Sequence, residues 1–169
     1  MPVTTNTKVD TLVQHITSSD GLTLVFVRTK RGADKLVDKL RRRNVSAVAM
    51  HGDMPQSARQ RALARFESGN VTTLVATDVA ARGLDLDDIT HVINFDPPAE
   101  DKDYVHRTGR TGRAGRTGTA ITLVLPEQQA ETSHVARRLG HREQFEEAGL
   151  TSARPKLLYT SRRGRRSKW

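Results

Sequence analysis

Segment 104–118 holds the densest group of side chains that could act on an anion. Four arginines recur at every third position among glycine and threonine residues, at Arg107, Arg110, Arg113 and Arg116. Arginines this close repel one another unless an anion joins them, and their guanidinium groups match the oxygens of a phosphate. A disordered Arg-Gly segment that binds RNA loosely would share this composition. The position of the segment between a predicted helix and a predicted strand favours a folded phosphate site.

A second group of candidates follows an aliphatic run within residues 74–86. Thr77 offers a hydroxyl and an amide at the end of a predicted strand, which suits a phosphate. Asp85 offers a carboxylate that can accept a hydrogen bond from a sugar hydroxyl. An ordinary turn closed by a capping threonine or aspartate is the alternative, and these residues alone do not exclude it.

A third group opens the helix predicted at residues 54–67. Gln56 and Arg59 lie in its first turn, where backbone N–H groups and an arginine together can hold an anion. A surface helix with scattered bases has the same pattern. Asp53 is the predicted cap of this helix, and Gly69 is its predicted end.

Alternating strand and helix signals surround these candidates. Aliphatic runs predict strands at 22–27, 45–50, 71–76, 90–94 and 118–125. Helical spacing predicts helices at 7–18, 32–43, 54–67, 101–108, 126–139 and 141–148. This alternation predicts an α/β fold with a parallel sheet flanked by helices on both faces. The candidates would then gather at the carboxyl ends of the strands, where such sheets bind ligands.

Composition narrows the class of protein. The chain has 169 residues, no cysteine and no apolar run that would span a bilayer, which fits a cytoplasmic domain with no membrane partner. Seven of the 28 bases follow Ala153 without any acid, and the preceding residues carry 21 bases against 19 acids. We therefore predict one domain over residues 1–150 and a basic, disordered tail or linker over 151–169 that attracts nucleic acid. A solubilising terminus or a truncated spacer is the alternative for the tail.

Four segments together resemble a known family. The stretches LVFVRTK (24–30), HGDMPQSAR (51–59), ATDVAARGLD (76–85) and YVHRTGRTGRAG (104–115) are similar, in order and spacing, to the C-terminal RecA-like domain of DEAD-box RNA helicases of superfamily 2. The resemblance covers most of the chain and implies a RecA-like fold. The many Arg and Ala residues with few Lys suit a bacterial source.

The resemblance implies a role for each matching residue of the nucleotide site. Arg110 and Arg113 would be arginine fingers that reach the γ-phosphate of ATP across a cleft between two domains. Asp85 would accept a hydrogen bond from the ribose, with Gly83 beside it in the nucleotide site. His106 would contact the first domain and couple ATP to RNA.

The resemblance also implies a set of RNA contacts. They would address phosphates and sugars, so that RNA binding would be largely independent of base sequence. The residues that match the family in these positions are Gly52, Gln56, Arg59 and Thr77, together with Thr29.

The resemblance implies one half of an enzyme. The first RecA-like domain of the family supplies the phosphate loop and the acids that hold Mg²⁺, but Gly-Lys and Asp-Glu-Ala-Asp do not occur in this sequence. We therefore expect the second half of an ATP-dependent RNA helicase, with no metal site of its own and no ATP hydrolysis alone. A freestanding RecA-like adaptor for RNA or protein, without ATP turnover, and half of a DNA helicase are the alternatives. An adaptor would have no use for Arg110, Arg113 and Asp85 together.

Overall fold

The architecture is a parallel β-sheet between two layers of helices. The structure is a computed structural model that describes residues 1–82, 89–97 and 119–139 and the backbone of 157–159 and 166–168. Its helices are α1 Lys8–Thr17, α2 Lys30–Arg42, α3 Gln56–Glu67, α4 Asp78–Ala81 and α5 Gln129–Arg138, with a 3₁₀ turn at Pro126–Gln128. Its strands are β1 Leu22–Phe26, β2 Ala47–Met50, β3 Thr73–Ala76, β4 Ile89–Asn94, β5 Thr119–Thr122, β6 Leu157–Tyr159 and β7 Arg166–Lys168. No helix within these ranges is long and apolar enough to cross a membrane.

Five strands form one sheet in the order β2-β3-β1-β4-β5, and every pair of neighbours is parallel. This arrangement confirms the predicted α/β fold. Strands β6 and β7 form a separate antiparallel pair. The sequence pattern predicts no element there, because the basic tail shows no apolar alternation. The division of the chain at residue 150 stays a prediction.

Side chains of the central strands alternate between two apolar layers. On one face, Val25 of β1 belongs to a buried cluster with Leu12 of α1 and Leu36 of α2. On the other face, Leu24 of β1 belongs to a cluster with Phe66 of α3. Because both faces are buried, the strands need continuous aliphatic sequences, and this is why the sequence reveals them so clearly.

The end of α3 matches the sequence pattern, but its start does not. Gly69 adopts a φ of +80° just beyond the helix, a conformation that glycine adopts without steric cost. The prediction that Asp53 caps the helix is wrong, because Pro55 is the N-cap. A residue that precedes proline avoids the helical region, so the helix cannot include Met54. The carboxylate of Asp53 pairs with Lys30 instead.

The other predicted elements agree with the described ones to within three residues at each end. Residues 78–81, which lie in the segment that the sequence left open as an ordinary turn, form one helical turn. The helices predicted at 101–108 and 141–148 lie outside the described residues.

Candidate nucleic-acid interface

The five candidate RNA contacts lie beyond the carboxyl ends of three neighbouring strands. Strands β2, β3 and β1 are adjacent, and their last residues pair in register. The structure therefore brings together segments that are far apart in sequence. The candidates follow β1 (Thr29), β2 (Gly52, with Gln56 and Arg59 in the first turn of α3) and β3 (Thr77).

Thr29 caps α2 with its side chain. Its Oγ1 accepts a hydrogen bond from the Gly32 N–H at 3.0 Å. A Cβ on Gly32 would lie 2.9 Å from this oxygen, so another residue there would shift the Thr29 side chain. Because a hydroxyl both accepts and donates, the capping Thr29 still has a proton to give to an oxygen of a ligand.

A buried histidine holds the loop that carries Gly52. His51 is 5% exposed, and its Nε2 lies 2.9 Å from Oδ1 of Asp34 in α2. Its Nδ1 accepts the backbone N–H of Asp53 at 3.2 Å. Since that N–H can only donate, Nδ1 is the acceptor and Nε2 carries the proton that it donates to Asp34. The ring therefore fixes the backbone on one side of Gly52 to α2.

An exposed ion pair lies beside this loop. The Lys30 Nζ is 2.8 Å from Oδ1 of Asp53, and both side chains are more than half exposed. The hydrogen bond from Lys30 and its charge lower the pKa of the Asp53 carboxyl. Asp53 thus stays ionised, and its charge partly neutralises that of the Lys30 ammonium. Because the pair is exposed, water also screens both charges.

Gly52 is not required by the packing of the protein itself. Among the described residues, a Cβ built on it would meet only the Cε of Lys30 at 3.7 Å, which is an ordinary van der Waals contact. Its φ lies outside the left-handed region. The residue is exposed, so its bare backbone is accessible to a ligand.

Arg59 and Thr77 both carry polar atoms that the described fold does not use. The Nε of Arg59 is buried and has no hydrogen-bond partner among the described residues. Such a donor costs about 1–3 kcal/mol while it is unpaired. Thr77 is 8% exposed and is the N-cap of α4, but its hydroxyl makes no capping hydrogen bond.

The sequence analysis missed a buried charge on the other side of β1. The Lys8 Nζ is 3.0 Å from Oδ1 of Asp96, two residues after the end of β4, and 4.0 Å from the centre of the Phe95 ring. Oδ2 of Asp96 accepts the backbone N–H of Arg28 at 2.8 Å. This cluster joins α1 to the ends of β1 and β4. The available signal is that Lys8 precedes Leu12 by one helical turn on an otherwise apolar face.

The candidate nucleotide-binding and catalytic residues Gly83, Asp85, His106, Arg110 and Arg113 lie outside the described residues. In the ranges that are described, no group of three or more His, Asp or Glu side chains is placed to hold a metal ion. Of the candidate sites predicted from the sequence, only the RNA contacts therefore lie within the described residues.

The family defined by the helicase conserved C-terminal domain matches residues 7–115. The chain belongs to this family. This helicase C-terminal domain is 50% identical over 116 residues to the DEAD-box ATP-dependent RNA helicase CshA of Geobacillus kaustophilus. That alignment covers 69% of this chain and 25% of the relative, so the chain spans about a quarter of the curated relative's length.

Solved structures of DEAD-box proteins have the same fold as this helicase C-terminal domain. A DEAD-box protein from the hyperthermophile Methanococcus jannaschii superposes with a TM-score of 0.76 and 34% identity, over 82% of this chain and 38% of the other. Saccharomyces cerevisiae Dbp5 bound to RNA and ADP BeF3 superposes with a TM-score of 0.74 and 31% identity, over 83% of this chain and 40% of the other. These similarities confirm the RecA-like fold that the resemblance implies.

Proposed function

We propose that this domain is the second RecA-like half of a DEAD-box ATP-dependent RNA helicase, in which two such domains close on ATP and one RNA strand and open short duplexes locally. The observation that carries the proposal is the position of the five candidate RNA contacts at the ends of three adjacent strands. The similarity to a bacterial protein named as such a helicase supports it. So does the similarity to a relative whose structure holds RNA and ADP BeF3.

The RNA strand would run across the ends of β1, β3 and β2. Gly52 lets a phosphate approach the backbone, while the Thr29 hydroxyl donates to an oxygen of the same strand. The guanidinium of Arg59, in the first turn of α3, binds a phosphate oxygen. Thr77 and Gln56 contribute a hydroxyl and an amide. All of these groups address phosphate and sugar, so binding is largely independent of base sequence.

The nucleotide would lie between this domain and the N-terminal RecA-like domain of the same parent chain. ATP supplies the phosphoanhydride bond that is cleaved, and the partner domain holds its Mg²⁺. Arg110 and Arg113 place positive charge on the γ-phosphate, where negative charge develops during transfer. Asp85 and Gly83 hold the ribose side, and His106 links nucleotide to RNA. The parent protein acts in the cytoplasm, which the absence of cysteine favours.

A domain exchange tests this proposal. The segment of the Geobacillus kaustophilus helicase that aligns with this chain is replaced by this chain, and ATP hydrolysis is measured with and without single-stranded RNA. We expect the chimera to hydrolyse ATP with stimulation by RNA, and the 169-residue chain alone to be inactive. ATP hydrolysis by the isolated chain would mean that it holds a complete site, and the half-enzyme proposal would be wrong.

Arg113→Ala in the same chimera distinguishes the enzyme from an adaptor. Loss of an arginine finger lowers the rate of hydrolysis by about 10³–10⁵-fold. RNA binding without ATP should change little, because Arg113 is not among the proposed RNA contacts. A chimera that binds RNA equally well but hydrolyses ATP at the same rate with either residue would favour the RNA or protein adaptor.

A further inference from the structure

A groove runs along the free edge of the sheet, and none of the five candidate RNA contacts lines it. It is about 560 Å³ in volume and is lined by β2, by α2 on one face of the sheet and by α3 on the other. We name it the edge groove. Its floor is formed by aliphatic side chains of all three elements, chiefly Val37, Val48 and Ala62. A polar ligand alone would leave this floor uncovered.

The edge of β2 offers backbone hydrogen bonds to the groove. Strand β2 is the outermost strand and pairs only with β3 among the described residues. The Arg41 Nε donates to the carbonyl of Ala47 at 3.2 Å, so this carbonyl faces the free edge. Because successive residues of a strand present their backbone groups to opposite edges, the N–H and C=O of Ala49 also face outward. They are a template for one further strand.

The two rims of the edge groove differ in charge. On α3, Arg61 and Arg65 line the groove one helical turn apart, are exposed and form no ion pair within the described part of the chain. The α2 rim is mixed, because Arg41 lies there with Asp34 and Asp38. Only the α3 rim therefore favours a partner whose facing side chains share one sign of charge, and that sign is negative.

The spacing of the two arginines fits an extended chain. Four helical residues advance about 6 Å. Two residues of a β-strand, which bring side chains back to the same face, advance about 6.6 Å. Two acidic side chains in alternate positions of an added strand would thus meet Arg61 and Arg65 in turn.

We propose that the edge groove binds an extended segment of another protein, which adds a strand to β2 and in which acidic residues alternate with apolar ones. The acidic side chains face α3, and the apolar ones lie over Val37 on the α2 side. Such strand addition obtains affinity from backbone hydrogen bonds and selectivity from alternate side chains. RNA fits the groove less well, because no aromatic side chain lines it for base stacking and its floor is apolar.

A charge-exchange experiment tests the proposal on the whole chain. The probe is a capped octapeptide in which valine and glutamate alternate, and its counterpart carries lysine in place of glutamate. Binding is followed by amide chemical shifts of the ¹⁵N-labelled protein. We expect shifts centred on β2 and the facing sides of α2 and α3. We expect the glutamate peptide to bind at least about tenfold more tightly than the lysine peptide, since like charges across an interface are strongly unfavourable.

Arg61→Glu/Arg65→Glu should reverse this preference, so that the lysine peptide binds more tightly. The matched control is Lys35→Glu/Lys39→Glu, which makes the same change of net charge on exposed positions of α2 outside the groove. This control variant should still bind the glutamate peptide more tightly than the lysine peptide, as the original protein does. Equal effects of both double variants, or binding of neither peptide, would overturn the proposal.

Backbone methylation of the peptide tests strand addition separately. N-methyl groups on the valines block one edge of the peptide, and those on the glutamates block the other. We expect one methylated peptide to lose binding and the other to retain it, whereas equal affinities would contradict an added strand. Decauridylate is added last. If it shifts the same amides and displaces the glutamate peptide, the groove belongs to the RNA path and the protein partner is wrong.

Discussion

Gly52 is the candidate RNA contact whose role depends on having no side chain. The protein leaves room for a Cβ, with the nearest atom at 3.7 Å, and the backbone φ suits other residues. Glycine therefore costs backbone entropy in folding without any gain from contacts with the described residues. The RNA contact proposed for Gly52 would account for it.

Gly52→Ala should separate RNA affinity from stability. Where the native backbone suits alanine, this replacement raises the free energy of unfolding by about 0.4–1 kcal/mol. We expect RNA affinity to fall about 2–10-fold, the worth of one hydrogen bond that is no longer made. Thermal unfolding and fluorescence anisotropy with a labelled decauridylate measure the two effects.

Gly32→Ala is a control for stability only, because a Cβ there would approach the hydroxyl oxygen of Thr29, which is itself a candidate RNA contact. This variant should lose stability, because displacing an N-cap costs about 1 kcal/mol. Unchanged RNA affinity in a stable Gly52→Ala would show that no ligand backbone comes close at this position.

Arg59 carries the second prediction at the residue scale. If its guanidinium contacts a phosphate, Arg59→Ala should reduce the slope of log affinity against log salt by about 0.7 for single-stranded RNA. Arg61→Ala is the matched control, because it removes the same charge from the same helix on the side of the edge groove. An equal change in slope for both variants would indicate a general field of α3 rather than a contact by Arg59.

At the scale of elements, the cluster of Lys8 and Asp96 joins α1 to the ends of β1 and β4. The Lys8 side chain is 10% exposed, and the Asp96 side chain is 26% exposed. Asp96 also accepts the backbone N–H of Arg28, at the start of the loop that leads to Thr29. The pair therefore connects α1 to the carboxyl ends of the strands, where the candidate site lies.

Asp96→Asn should lower the free energy of unfolding by about 3 kcal/mol, because it leaves a buried ammonium without its carboxylate. Lys8→Met/Asp96→Asn should cost less than Asp96→Asn alone, since the apolar stem then replaces the charge. Urea unfolding of the three proteins measures this order. A double variant at least as unstable as Asp96→Asn would mean that the charge of Lys8 is not what Asp96 compensates.

The elements of this fold are more predictable from sequence than the contacts between them. Strands buried on both faces have continuous aliphatic sequences, so the strand at 22–27 could be recognised directly. Their order in the sheet could not, because alternation of strands and helices does not say which strands are neighbours. Lys8 and Asp96 are 88 residues apart, and they meet only because β4 lies beside β1.

The same limit applies to the candidate site. The carboxyl ends of parallel strands could be predicted as its location, and the five candidate RNA contacts do lie at that edge. The partner of Asp53 could not be predicted, because the local pattern favours a helix cap and the Lys30 ammonium comes from another strand end. In the folded chain the Asp53 carboxylate therefore forms an ion pair between two loops.

At the scale of the whole molecule, stability should depend on pH through His15. Partial burial lowers the pKa of His15, and the neighbouring His91 and the terminal ammonium of Met1 lower it further. The unfolded chain therefore binds a proton at a higher pH than the folded one does. The contribution of His15 is complete above the unfolded pKa of 6.5 and is lost as pH falls below it.

We expect the urea midpoint to be lower at pH 5.5 than at pH 7.5. His15→Gln should reduce this difference, because glutamine binds no proton in either state. The comparison of the two proteins at both pH values isolates His15 from the other histidines. The same difference in both would assign the pH dependence to other groups.

We predict that the basic tail adds to the affinity of the whole chain for RNA. Residues 151–169 carry seven bases and no acid, while the remainder of the chain is close to neutral. Phosphate contacts by such a tail release counterions, so affinity falls steeply with salt. Removal of residues 151–169 should therefore weaken decauridylate binding and flatten the slope of log affinity against log salt, by up to about 5 if all seven bases make contacts.

The control is a full-length chain in which the seven bases are replaced by glutamine, which keeps the length but removes the charge. If truncation weakens RNA binding and the glutamine chain does not, the tail acts by its structure and not by its charge. If neither change alters the slope, the tail is a spacer, and the RNA affinity of the chain comes from the candidate contacts at the carboxyl ends of the strands alone.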